Sequence, residues 1–124
     1  GEAQSVVSDL TTKRNRAIAT SDRELLETVV DTGSKVFEKD VELIESIEQS
    51  GIEIRNLATA VKDVEVVECS PLGVMATFTQ NEHERCQGDI CEVVEQQPAS
   101  RLKLTFTGPP WRVSDVTSVD PEQL

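Results

Sequence analysis

Tyrosine is absent from this 124-residue chain, and its only aromatic residues are three phenylalanines and one tryptophan. With so few rings, the interior must be built from Val, Leu, Ile and Ala, and must cohere through many small aliphatic contacts. Histidine occurs once, at His83. A serine or cysteine nucleophile needs a base and a group that orients the base. One histidine, with no nucleophile elbow and no Cys-His signature, leaves that chemistry without its parts. Glycine-rich phosphate loops are also missing, and no apolar run approaches the roughly 18–20 residues that cross a bilayer as a helix.

Positive charge is scarce too. Lys and Arg number 12 against 23 Asp and Glu, a net charge of -11. Binding to nucleic acid or anionic lipid depends on basic contacts that release counterions, so neither is an expected partner, and the acidity serves solubility. The length suits one domain with a full core. A single domain is expected over residues 1–119, followed by a flexible tail at 120–124. The chain opens Gly1-Glu2-Ala3 without methionine, the look of a processed or recombinant start. Membrane association is expected only through an anchor upstream of Gly1.

The cysteines are Cys69, Cys86 and Cys91. Cys86-Gln87-Gly88-Asp89-Ile90-Cys91 sets two of them across a Gly-Asp turn signal, a spacing that permits a local disulfide. Two other readings stand beside it: reduced thiols, or a metal held by His83, Cys86, Cys91 and Cys69. The tight Cys-x₂-Cys knuckles of zinc sites are missing, so the bridge is favoured and no metal or cofactor is expected. A bridge implies an oxidising compartment, with Cys69 left over and buried in a strand.

Periodicity divides the chain in two. Val6, Val7, Leu10, Ala17 and Ile18 form a helical stripe in which Arg14 fills the missing turn. Ser21-Asp22 restarts a helix, with Ser21 as the cap and Leu25, Leu26, Val29 and Val30 as its face. Thr32-Gly33-Ser34 ends it, with Gly33 as a left-handed cap. Lys35 to Ser50 is the clearest helix: Val36, Phe37, Val41, Leu43, Ile44 and Ile47 lie on one side, Glu38, Glu42, Glu45 and Glu48 on the other. After Gly51 the period shifts to that of strands. A long β-rich segment runs from Ile52 to Val67, with a bulge expected at Lys62-Asp63. Val74, Ala76 and Phe78 alternate with Met75, Thr77 and Thr79, and an exposed extension to Arg85 follows. Residues 86–99 are the least regular. Leu102, Leu104 and Phe106 then face inward, and Trp111 and Val113 begin the last strand.

Helices followed by a meander ending in Trp111-Arg112-Val113 resemble the nuclear transport factor 2-like superfamily, the cystatin-like and SnoaL-like cone of helix and curved sheet. The pattern is closest to actinobacterial extracytoplasmic domains of unknown function. It comprises Gly33-Ser34, an aspartate-bearing helix from Asp40 to Ile47, Gly51-Ile52 to Leu57, Asp63-Val64-Glu65-Val66-Val67, and Trp111-Arg112-Val113 with Asp115-Val116. The resemblance spans roughly residues 5 to 118. It implies an α+β fold with N-terminal helices packed on a curved antiparallel four-stranded sheet in a cone-shaped roll, and a secreted or membrane-anchored extracytoplasmic setting. Fold likeness does not carry activity in such a superfamily.

Isomerases of that superfamily set an aspartate base against an oxyanion hole that uses tyrosine, and this chain has none. No catalytic residue is therefore assigned, and the chain is not expected to be an enzyme. His83, among Asn81, Glu82, Glu84 and Arg85, is expected to be solvated or salt-bridged. The first functional expectation is a non-catalytic extracytoplasmic interaction or sensing domain. Its partner would be an unknown protein or a second copy, docked on the cone's mouth or on an uncovered sheet face bearing Val67, Met75 and Thr77. The alternative is a small-molecule-binding or degenerate isomerase- or dehydratase-like domain with a cavity between helix and sheet. Phe37, Phe78, Phe106 and Trp111 would line that cavity, with Asp63 or Asp115 as the pocket acid. A closed, filled cone favours the first expectation; an open cavity holding a buried carboxylate favours the second.

Overall fold

Three helices precede seven strands in the computed structural model, which describes residues 1–119. The expected flexible tail, 120–124, lies outside the described residues. Helix α1 (Glu2–Ala19) buries Val7, Ala17 and Ile18 from its apolar stripe, together with Asn15. Helix α2 (Arg23–Val29) is capped one residue later than expected: Ser21 takes a left-handed turn, and the Asp22 carboxylate accepts from Leu25 N–H at 3.0 Å. Gly33 does not supply a left-handed cap. The Asp31 carboxylate accepts from Gly33 N–H at 3.0 Å instead, and this side-chain turn leads into the next helix. Helix α3 (Lys35–Ser50) starts where Ser34 Oγ accepts from Phe37 N–H at 3.1 Å, and ends where Gly51 adopts φ 68°. The left-handed conformation at that helix end is open to glycine without steric penalty.

The β-rich half forms two antiparallel sheets. The four-stranded sheet has the order β2 (Thr59–Cys69), β3 (Leu72–Gln80), β6 (Ser100–Thr107), β7 (Arg112–Ser118). A second sheet of three strands joins β1 (Ile52–Arg55), β4 (His83–Gln87) and β5 (Ile90–Val94). The segment read as continuous from Ile52 to Val67 is therefore divided: Asn56 turns the backbone at φ 63°, and its two halves enter different sheets. The bulge falls where alternation breaks, with the register slipping between Lys62 and Glu65 and Asp63 at φ 55°. The supposed exposed extension after Gln80 is β4, and within it His83 and Cys86 are buried.

Two hydrophobic clusters make the core. One lies among the helices and holds Ala17, Ile18, Leu26, Val29, Val30, Ile44 and Ile47. The other lies on the four-stranded sheet and holds Val7, Val74, Ala76, Leu104, Phe106 and Val113. Leu10 touches both. They are also stitched together by a parallel bridge between Val30 and Val113, and by Asp31 N–H donating to the Val113 carbonyl at 2.8 Å. Elsewhere the clusters do not merge, and the cleft described below opens along that junction.

Candidate functional site

The stripe of α1 runs Val7, Leu10, then Arg14 where an aliphatic residue would continue it. Along α3, Val36, Asp40, Ile44 and Ile47 share a face by the same spacing rule, with Asp40 as the charged member. The fold brings these two exceptions together. Arg14 Nε donates to Asp40 Oδ2 at 2.8 Å and Arg14 Nη2 to Asp40 Oδ1 at 2.7 Å, a two-pronged pair that occupies both carboxylate oxygens. Asp40 is 4% exposed, whereas the Arg14 side chain retains 41% of its exposure. Next to Arg14, buried Asn15 donates through Nδ2 to Thr59 Oγ1 at 3.0 Å, and Gln4 Nε2 reaches the Val61 carbonyl at 3.0 Å. These polar bonds add to the aliphatic packing of Val7 and Leu10 near Val61 and Val64 in seating α1 across β2.

Beside the ion pair lies a cleft of about 490 Å³ between α1, α3 and the sheet, within the range of about 300–1,000 Å³ typical of small-molecule sites. Its apolar wall carries Leu10, Val36, Phe78, Leu102, Leu104 and Val116, and its polar edge carries Arg14, Asn15, Lys35, Lys39, Asp40, Thr59 and Asp115.

The residues anticipated for such a cavity divide. Phe78 and Asp115 line the cleft. Phe106 is buried in the sheet-side cluster, with Trp111 packed against the same cluster, and Phe37 packs on the helix-side one. Position rather than ring size makes the division, since Phe78, with the same ring as Phe37 and Phe106, lies where β3 borders the cleft. Asp63 is exposed on the bulge of β2, and its carbonyl accepts from Arg101 Nη1 at 2.7 Å. Asp115 is exposed at the rim and accepts from Thr117 Oγ1 at 3.1 Å.

Away from the cleft, Cys86 and Cys91 are joined as a disulfide across the β4–β5 hairpin, and both sulfurs are taken by that bond. Glu84 lies near them, but the metal set considered from sequence would also need Cys69, at the exposed end of β2 in the other sheet. Cys69 is thus not the buried residue expected. Nor is His83 solvated: it is 7% exposed, and its Nδ1–H donates to the Asn81 carbonyl at 3.0 Å. The far face of the four-stranded sheet bears Arg101 paired with Glu65 at 3.6 Å, and Lys103 paired with Glu68. Met75 and Thr77 sit in register with Lys103 and Arg101, so charged and polar groups interrupt the apolar surface expected there.

No protein-family model and no curated protein matches the sequence. Among solved structures, the intermembrane-space region of the chloroplast protein ARC6 is similar. It shares 16% identity at a TM-score of 0.66, and the match covers 95% of this chain and 94% of that one. At this identity the likeness speaks for a shared fold, extending over helices and both sheets.

Arg14, Asn15, Lys35, Lys39 and Asp40 went unassigned in the sequence reading, although two of them left a trace. A charge at a stripe position of one helix and an opposite charge at a stripe position of another is the pattern of a buried pair. Lys35 and Lys39 left none, because exposed lysines on a helix are ordinary.

Proposed function

We propose that this chain is a non-catalytic extracytoplasmic domain that binds a small molecule in the cleft between α1, α3 and the four-stranded sheet. The carrying observation is the unmerged junction of the two cores. A domain needing only a scaffold would fill that space with aliphatic groups, since an unfilled apolar space of this kind destabilises. Here Arg14 and Asn15 occupy the places where α1 would fill it.

Among the described residues of the cleft the buried carboxylate is already engaged, which favours binding over turnover. A general base needs an oxygen or nitrogen within reach of the substrate proton. Both oxygens of the buried Asp40 are engaged by Arg14, and Asp115 is a rim carboxylate in water. His83 belongs to the other sheet and does not line the cleft. The cone-shaped roll of the nuclear transport factor 2-like superfamily is the frame in which we read this arrangement. Its support is the order of helices before an antiparallel four-stranded sheet, with the cleft between them.

The extracytoplasmic setting draws support from the Cys86–Cys91 bridge, which persists in oxidising compartments. A structural neighbour that is itself an intermembrane-space region agrees with it. Interaction with a protein partner through the far sheet face is the weaker reading, because ion pairs stud that face.

The test is amide chemical-shift mapping against a panel of small amphiphiles. Shifts concentrated on Leu10, Val36, Leu102 and Val116, lost when Thr11, which also lines the cleft, is replaced by tryptophan to fill it (Thr11→Trp), are the expected result. A panel that leaves these amides unmoved, or moves those of Met75 and Thr77 instead, would overturn the reading.

A further inference from the structure

The basic residues of this acidic chain are unevenly used. In the described residues, Lys13, Arg14, Arg23, Arg55, Arg101 and Lys103 each have a carboxylate within ion-pair distance, whereas Arg16, Lys35, Lys39, Lys62, Arg85 and Arg112 have none, and of these only Lys35 and Lys39 line the cleft. Those two ammonium groups stand one helical turn apart on α3. The charged groups lining it are Arg14, Lys35 and Lys39 against Asp40 and Asp115, three positive less two negative, hence +1 in a chain of net charge -11. Arg14 and Asp40 neutralise each other, so the local excess belongs to the two lysines, with Asp115 as partial counterweight. Lys35 also occupies the first turn of α3, where the free N–H groups carry partial positive charge. The sheet side of the cleft is apolar, made by Leu102, Leu104, Val116 and Phe78.

Resting on the binding role assigned to this cleft above, we infer that its ligand is a single-chain amphipathic monoanion. Its carboxylate lies against Lys35 and Lys39 and its aliphatic stem lies along β6 and β7. A cation would meet two ammonium groups offset only in part by Asp115. A dianion would exceed the charge available, since only one positive charge is left over. A purely apolar ligand would leave both lysines no better satisfied than in water. Charge complementarity therefore selects the head, and the Leu/Val wall selects the tail.

Isothermal titration of the full chain with decanoate, decan-1-ol and decylamine, each below its micellar concentration, tests this. Decanoate is expected to bind about tenfold more tightly than decanol, with decylamine weakest. Going from octanoate to decanoate, two methylenes more, should improve binding about fifteenfold, since each buried methylene contributes about a fourfold gain. In the Lys35→Gln/Lys39→Gln variant, decanoate should fall to the affinity of decanol while decanol is unchanged. Both lysines are exposed, so the substitutions leave the packing intact. Equal binding of decanoate and decanol, or indifference of decanoate to the lysine variant, overturns the anionic head while leaving the cleft a ligand site. Failure of all three probes to bind overturns both.

Discussion

Arg14 and Asp40, 26 residues apart, close on each other through two hydrogen bonds of 2.8 and 2.7 Å at the edge of the cleft. The burial of the pair is lopsided. The carboxylate has lost nearly all contact with water, while the guanidinium keeps part of its surface. Removing either partner breaks the same bonds, but only one removal strands a charge away from solvent.

An asymmetric mutant cycle follows from that geometry. Arg14→Met leaves a buried carboxylate unpaired and should cost about 3 kcal/mol, the lower end of the range for broken buried pairs. Asp40→Asn leaves a guanidinium that water can still reach and should cost about 1 kcal/mol. The Arg14→Leu/Asp40→Leu double variant should return to within about 1 kcal/mol of the parent. Urea denaturation of the set measures this; equal losses in the two single variants would show that the carboxylate is not the stranded member.

Thiol titration examines the hairpin bridge. The denatured, unreduced protein should show one reactive thiol, and the native protein the same one, since Cys69 is exposed and Cys86 and Cys91 are bonded to each other. Replacing both bridged cysteines by serine should lower stability by about 2 kcal/mol, the loop-closure value for so short a ring. Three titratable thiols would remove the bridge and the compartment argument with it.

Two glycines should respond differently to alanine. At Gly51, φ is 68° and an added methyl would meet open space, so only the backbone penalty of about 1 kcal/mol applies. At Gly108, φ is 131° and the added methyl would collide with the Pro110 carbonyl and crowd the Cα of Trp111. Gly108→Ala should therefore cost more than about 2 kcal/mol, with disturbed Trp111 fluorescence as a second readout. A milder effect at Gly108 than at Gly51 would contradict the described turn.

Acid titration offers a local check on β1. The Glu53 carboxyl is held below its ordinary value of 4.5, chiefly by hydrogen bonds from Arg55 and then by the charge of that guanidinium. Because the folded-state value is depressed, whatever the pair contributes is in place above 4.5 and is lost as pH falls through the depressed value. Side-chain carboxyl NMR should find the Glu53 midpoint below 4.5, moving back toward it in Arg55→Gln. An unchanged midpoint in that variant would show that the pair does not persist in solution.

Element types were legible from local physics. Helix α3 shows in its apolar stripe, its Ser34 cap and its closing Gly51, and β6 shows in the strict alternation of Leu102, Leu104 and Phe106, because side-chain period and capping act within a few residues. The same locality explains the Gly-Asp turn between Cys86 and Cys91, and the bulge at Lys62-Asp63. What distant parts of the chain do to one another was not legible. The partition of strands into two sheets turns on a single left-handed Asn56, and the burial of His83 on which sheet its strand enters. Leu43, placed by spacing among the buried residues of α3, stays 43% exposed because nothing packs over that side.

Apart from Phe78 and Asp115, which were anticipated for a cavity, the lining of the cleft belongs to that second class. The chain by itself determined that its first half would be amphipathic helix and its second half antiparallel strand, because hydrophobic spacing dictates which face of each element avoids water. Only the tertiary structure decided that a charge on α1 would meet its opposite on α3, and that two lysines would stand beside an apolar wall with no ion-pair partner among the described residues. Such pairings depend on where elements dock in space, and sequence spacing carries no measure of that distance.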